Sequence, residues 1–147
     1  MAVTVDEMLE QWTTDSIIDD SNIQSEIIKV PSLHSKFLNY YIYFKQRLAI
    51  AESKKNKMSY LRKRYYRGEL TREELVENKW DQYQGLKMSN TEYNQHSNID
   101  PILVDYERAV AELKLSVSAC EYILASIKSR DYSLKTIFEH MKYMSGS

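Results

Sequence analysis

Residues 101–127 read PILVDYERAVAELKLSVSACEYILASI, and the spacing inside them decides the fold. Leu103, Tyr106, Val110, Leu113, Val117, Cys120, Leu124 and Ile127 follow one another at alternating intervals of three and four. That is an unbroken a/d heptad pattern, which lays one apolar seam along a long α-helix. Asp100 and Pro101 open it as N-cap and first helical residue, because a proline there lacks only an amide that would be unpaired anyway. After the polar Lys128-Ser129-Arg130-Asp131 the same phase returns at Leu134, Phe138 and Met141, either as a continuation or as a second helix capped by Asp131. Ile102, Ala109, Ser116 and Ile123 repeat every seven residues beside the seam. A stripe widened in this way suits a helix touching two neighbours, in a bundle or in a ring of subunits.

Upstream, the stretch from Gln84 to Asn98 turns to Gly, Ser, Asn, Gln and His and loses periodicity, so residues 84–99 read as a loop. Thr71 and Glu74 form a capping box that predicts a short helix from Arg72 to about Trp80 or Tyr83. Leu33, Phe37, Tyr40, Phe44, Leu48, Ala51, Met58, Leu61 and Tyr65 again keep helical spacing up to Gly68. They predict a helix about 54 Å long at ~1.5 Å per residue, stopped at the glycine. Pro31 interrupts or kinks the helix that Asp19, Asp20, Ser21 and Asn22 are placed to cap near Ile23. Met8, Leu9 and Trp12 suggest a first short helix over residues 6–12 after the cap Thr4.

With three glycines and two prolines in 147 residues, hairpin-rich β folds lack their turn residues. The expectation is an all-α chain: residues 1–83 as an N-terminal helical part, the 84–99 loop, and C-terminal helices over 100–147, together one compact unit. Two long helices bury little within one chain. The seam residues Leu103, Tyr106, Val110, Leu113, Val117, Cys120, Leu124, Ile127, Leu134 and Phe138 are therefore expected to join subunits in a ring-like helical oligomer.

Charge is segregated. The net value is −1, yet Lys45 to Arg67 carries nine basic residues against Glu52 alone, while residues 1–26 hold seven acids and no base. In Lys54-Lys55-Asn56-Lys57-Met58-Ser59-Tyr60-Leu61-Arg62-Lys63-Arg64-Tyr65-Tyr66-Arg67-Gly68, cations to meet phosphates alternate with rings on which unpaired bases stack. Lys54, Lys55, Lys57, Tyr60, Arg62, Lys63, Arg64, Tyr65, Tyr66 and Arg67 are the expected single-stranded DNA contacts. The competing reading is a non-enzymatic adaptor or assembly scaffold whose basic helix docks on an acidic protein. Neither a helix-turn-helix nor a zinc finger is present to read duplex DNA.

Catalysis is not expected. His34, His96 and His140 are scattered, no serine elbow or phosphate-cradling glycine loop occurs, and Cys120 sits on the apolar seam as a structural thiol. Trp12 and Trp80 suit either a core or an interface. One cysteine allows no internal disulfide, no metal or other cofactor is expected, and no apolar run is long enough to span a membrane. The acidic start lacks the regions of a signal peptide, which points to the cytoplasm.

Three blocks resemble the UvsY family, recombination mediators of T4-like bacteriophages. Ser35-Lys36-Phe37-Leu38-Asn39 is similar to one family stretch. Arg62, Tyr65, Tyr66 and Gly68 match an R-x-x-Y-Y-x-G pattern in the family's single-strand-binding region. Ile127-Lys128-Ser129-Arg130 with Leu134, Lys135 and Ile137 matches its C-terminal block. Tyr60 replaces a family lysine, Lys63 and Arg64 replace a leucine and an acid, and the 84–98 loop is longer. The resemblance implies a non-enzymatic phage protein of the host cytoplasm, acting in DNA recombination, repair and replication. It would bind single-stranded DNA and help a RecA-like (UvsX-like) recombinase displace single-strand-binding protein. It also implies homo-oligomeric rings, hexamers or heptamers, closed by C-terminal helices.

Overall fold

The structure is a computed structural model describing residues 3–146. Among these residues there are five helices and no strand: α1 (Val5–Asp15), α2 (Ile23–Tyr66), α3 (Arg72–Asn78), α4 (Asn90–His96) and α5 (Pro101–Met144). The chain is all-α, as its spacing requires.

Local chemistry sets most helix ends. The Thr4 hydroxyl accepts the Glu7 amide at 3.1 Å and the Glu7 carboxylate accepts the Thr4 amide, so α1 opens on a capping box and runs past the expected 6–12. Asn22 Oδ1 accepts the Ser25 amide at 3.2 Å at the start of α2. At its other end Gly68 takes φ 69°, the Glu69 amide bonds the Arg64 carbonyl at 2.9 Å, and the Gly68 amide bonds that of Tyr65 at 3.1 Å. This Schellman turn requires the left-handed conformation that glycine adopts without a Cβ penalty. Asp100 Oδ1 accepts the Ile102 amide at 3.1 Å, so Asp100 and Pro101 start α5 as read.

Two expectations give way. Pro31 lies inside a continuous α2, because Ile23, Val30, Phe37 and Phe44 are buried at seven-residue spacing on both sides of it. Burying such side chains is worth about 1.5–3 kcal/mol each, which outweighs the ~3 kcal/mol a helical proline costs. Of the two readings of the polar stretch at 128–131, the continuation holds: α5 runs through it unbroken, since Ile127 and Leu134 on either side are both buried. The 84–99 stretch contains α4, capped by Ser89 and anchored by the buried ring of Tyr93. A two-turn helix with one anchor leaves no period to detect.

The described residues form two compact units. The first combines the chain up to Gln46 with that from Lys114 onward. Its core holds Met8, Phe37, Cys120, Ile127 and Leu134. The Cys120 thiol donates to Met8 Sδ at 3.2 Å and burial pushes it up to about 11, so it packs as a small apolar group. Trp12 meets Phe37 edge-on at 5.4 Å, and Arg130 lies over Trp12 while bonding the Asp15 and Ser16 carbonyls that end α1. The second unit, Arg47–Leu113, holds a core of Tyr66, Tyr93 and Leu103.

The heptad seam is consumed within the chain. Leu103, Val110, Val117, Cys120, Ile127 and Leu134 are buried, as are the flanking Ser116 and Ile123, and Tyr106, Leu113, Leu124 and Phe138 are half-buried. Most of the seam is thus enclosed by its own subunit, and the half-buried Tyr106, Leu113, Leu124 and Phe138 are the part of it with surface left to offer another. What α5 presents outward is a second stripe of three-and-four spacing: Leu115, Ser118, Tyr122, Ala125, Ser129 and Tyr132, all exposed. No helix among the described residues is long and apolar enough to cross a membrane, and no group of His, Cys, Asp and Glu is placed to hold a metal.

Candidate nucleic-acid interface

The basic end of α2 lies in the second unit, and its residues divide according to whether acids of the same unit reach them. Arg62 faces inward and is 7% exposed. Its Nε donates to Asp100 Oδ2 at 2.8 Å, and a terminal nitrogen donates to the Tyr66 hydroxyl at 2.7 Å. The guanidinium packs against the rings of Tyr65, Tyr66 and Trp80 at 4.7, 4.9 and 4.7 Å. Asp100 is 0% exposed, so one carboxylate caps α5 and neutralises Arg62 together. Burial holds the Tyr66 phenol above its ordinary range, against the pull of the Arg62 charge. His96 stacks edge-on at 4.7 Å and Tyr93 lies 6.3 Å away, completing an aromatic shell. Arg62 and Tyr66, expected as DNA contacts, are buried here and form the clamp joining α2 to the start of α5.

Arg64 and Arg67 face outward but are engaged. Arg64 grips Glu74 with two bonds of 2.7 and 2.9 Å, and this contact first, then the Thr71 amide, holds the Glu74 carboxyl at about 2. Glu74 therefore serves the α3 capping box and ties α3 to α2. Arg67 pairs with Glu69 at 3.2 Å and bonds Asn90 at 3.2 Å. Tyr65 donates its hydroxyl to the Asp81 carbonyl at 2.7 Å, holding the loop after α3.

Five expected contacts remain available. Lys54 and Lys57 are exposed, Lys55 and Lys63 are half-buried, and none of the four makes an ion pair among the described residues. Tyr60 is 65% exposed, with the Arg64 guanidinium 5.7 Å from its ring. At 100° per residue, Lys57, Tyr60, Lys63, Arg64 and Arg67 occupy an arc of about 120°, whereas Lys55 shares the side of Arg62. The arrangement is an outward cationic arc carrying one exposed ring, backed by a neutralised inner arginine. Of the C-terminal bases, Arg130 is spent on α1 and Lys135 pairs with Asp131 at 3.0 Å.

The sequence carried no signal for the Arg62–Asp100 pairing, whose partners stand 38 residues apart, beyond the cap role of Asp100. Trp80 gave no sign of its contact with Arg62 either.

Comparison with known proteins bears on the fold and the family. No curated protein sequence matches the chain. Crystal structures of the recombination mediator protein UvsY of bacteriophage T4 share its fold. One superposes with a TM-score of 0.85 at 20% identity, covering 98% of this chain and 99% of that one. Two others, in different lattices, give 0.83 at 20% identity over 96% and 99%, and 0.80 at 21% over 94% and 98%. The family model described as recombination, repair and ssDNA binding protein UvsY matches residues 11–147, and the chain belongs to that family.

Proposed function

We propose that this protein is a recombination mediator that binds single-stranded DNA on the outward arc of α2. It would help a RecA-like recombinase assemble on strands covered by single-strand-binding protein. The observation that carries this reading is Lys57 and Lys63, neither with an acid partner, on one arc with the exposed ring of Tyr60 and with the exposed Lys54 next to it. Like charges crowded on one helix weaken it by a few tenths of a kcal/mol per pair, roughly, and a phosphate chain relieves that repulsion.

Each subunit neutralises only a few phosphates, so affinity has to come from repetition. The exposed stripe Leu115, Ser118, Tyr122, Ala125, Ser129 and Tyr132 supplies a self-complementary helical face, and membership of the family favours a closed ring of six or seven copies. Tethered copies raise effective concentration and gain about 10²–10⁴ in avidity. No residue grouping on the arc resembles a catalytic one, so the proposed role is non-enzymatic.

Anisotropy titration with labelled oligothymidine tests the reading. Micromolar or tighter binding that weakens with salt supports it. Absence of binding at low salt would overturn it and favour an adaptor that docks on an acidic protein.

A further inference from the structure

The arc offers phosphate contacts but little base contact: Tyr60 is the one exposed ring on it. A second feature of the same unit supplies what is missing. Between the end of α2 and α3 lies a cleft of about 470 Å³, within the ~300–1,000 Å³ range of small-ligand sites. Tyr65 and Tyr83 line one part of it, their ring centres 5.6 Å apart, and Leu70 and Leu75 another. Arg72 and Gln82 stand at the same opening, both exposed, and Arg72 makes no ion pair among the described residues. Gly68 forms part of the wall, and the Lys87 stem lies over it, with Cε 3.3 Å from where a Cβ would stand. A second cation thus flanks the cleft.

The lining contains no carboxylate. This separates it from the cleft of the first unit, where Asp15 and Glu26 sit among Lys29, Lys36 and Arg130. It differs too from the one beside Tyr40 and Tyr43, whose cation, Lys36, is spent on Asp15 at 2.6 Å. Two tyrosine rings tilted at 57° to each other, two leucines, an amide and cations without an ion pair suit a single heterocycle attached to a phosphate.

The geometry points to a nucleobase subsite: the Tyr65–Tyr83 cleft accepts one unstacked base of a single strand, with Arg72 and Lys87 on its flanking phosphates. This rests on the arc being a single-strand surface. It gives the Tyr65 and Gly68 positions a role apart from phosphate binding, since both shape the cleft while Arg62 and Tyr66 hold it from behind.

The test compares a short oligothymidine with an abasic oligomer of equal length and charge, titrated into the intact protein. One stacked base is worth roughly tenfold in affinity, so the abasic strand should bind at least that much more weakly. In Tyr83→Leu, which removes the ring, and in Leu75→Trp, which fills the cleft, the ratio between the strands should fall about tenfold. Equal binding of both strands by the parent protein would overturn the subsite while leaving phosphate binding by the arc intact. A ratio unchanged in both variants would place the base elsewhere and overturn the assignment. Failure of the parent to bind either strand would remove the subsite and the proposed function together.

Discussion

Replacing Asp100 by asparagine separates the two jobs of that residue. Asparagine caps a helix as well as aspartate, so the bond to the Ile102 amide survives. What is lost is the counter-charge to Arg62, a guanidinium 7% exposed and held at 2.8 Å by a carboxylate that is 0% exposed. Removing one partner of a buried pair leaves an uncompensated charge and costs about 3–5 kcal/mol. For a chain of this size that corresponds to a drop of about 10 °C in Tm. Urea unfolding followed by helical circular dichroism reads the loss, and the double variant Asp100→Asn with Arg62→Met should recover most of it. Single-strand binding by the folded variant should keep the parent's salt dependence, because Arg62 is not a phosphate contact. A loss below about 1 kcal/mol, the range of an exposed pair, or a flattened salt slope with Arg62→Met, would refute the clamp.

Three further outcomes follow from the same geometry. Glu74 is held at about 2 against an ordinary 4.5, so its contribution to stability is complete above pH 4.5 and is lost as pH falls toward 2. The acid-side slope of the urea midpoint in that window should be shallower in Glu74→Gln, and an identical slope would refute the link from α3 to Arg64. Cys120, pushed up to about 11 by burial, should resist thiol reagents at pH 8 in the native protein and react fully in urea; rapid native reaction would contradict its place in the core. Tyr122→Asp, on the exposed stripe, should lower the mass measured by light scattering with little change in subunit helicity, whereas an unchanged mass would remove that stripe as the subunit contact.

Where neighbouring residues decide an outcome, the sequence was legible. Thr4, Thr71 with Glu74, Asp100 with Pro101, and Gly68 each act within a few positions, and each places a helix end as read. Pro31 misled because its effect is local while the packing of Val30 and Phe37 that overrides it is tertiary. The heptad pattern identified residues that seek burial but not what buries them. In the structure α1 and α2 take that role, with Met8 against Cys120 as the clearest contact. The positive run was equally plain, but charge sign carries no direction. Arg62 differs from Lys63 only by a turn of 100°, and that turn sends one to Asp100 and leaves the other without an ion pair. The Tyr65–Tyr83 cleft was invisible because its walls come from α2, α3 and the loop between α3 and α4.

The salt dependence of oligothymidine binding in Lys57→Ala with Lys63→Ala, measured against the parent, bears most directly on the role of the arc. Each phosphate contact contributes about 0.7 to the slope of log K against log salt on a single strand. The slope should therefore become shallower by about 1.4 per engaged subunit, with affinity reduced for strands of every sequence and thermal stability unchanged. Coincident slopes for the two proteins would show that the phosphates lie elsewhere and contradict the account.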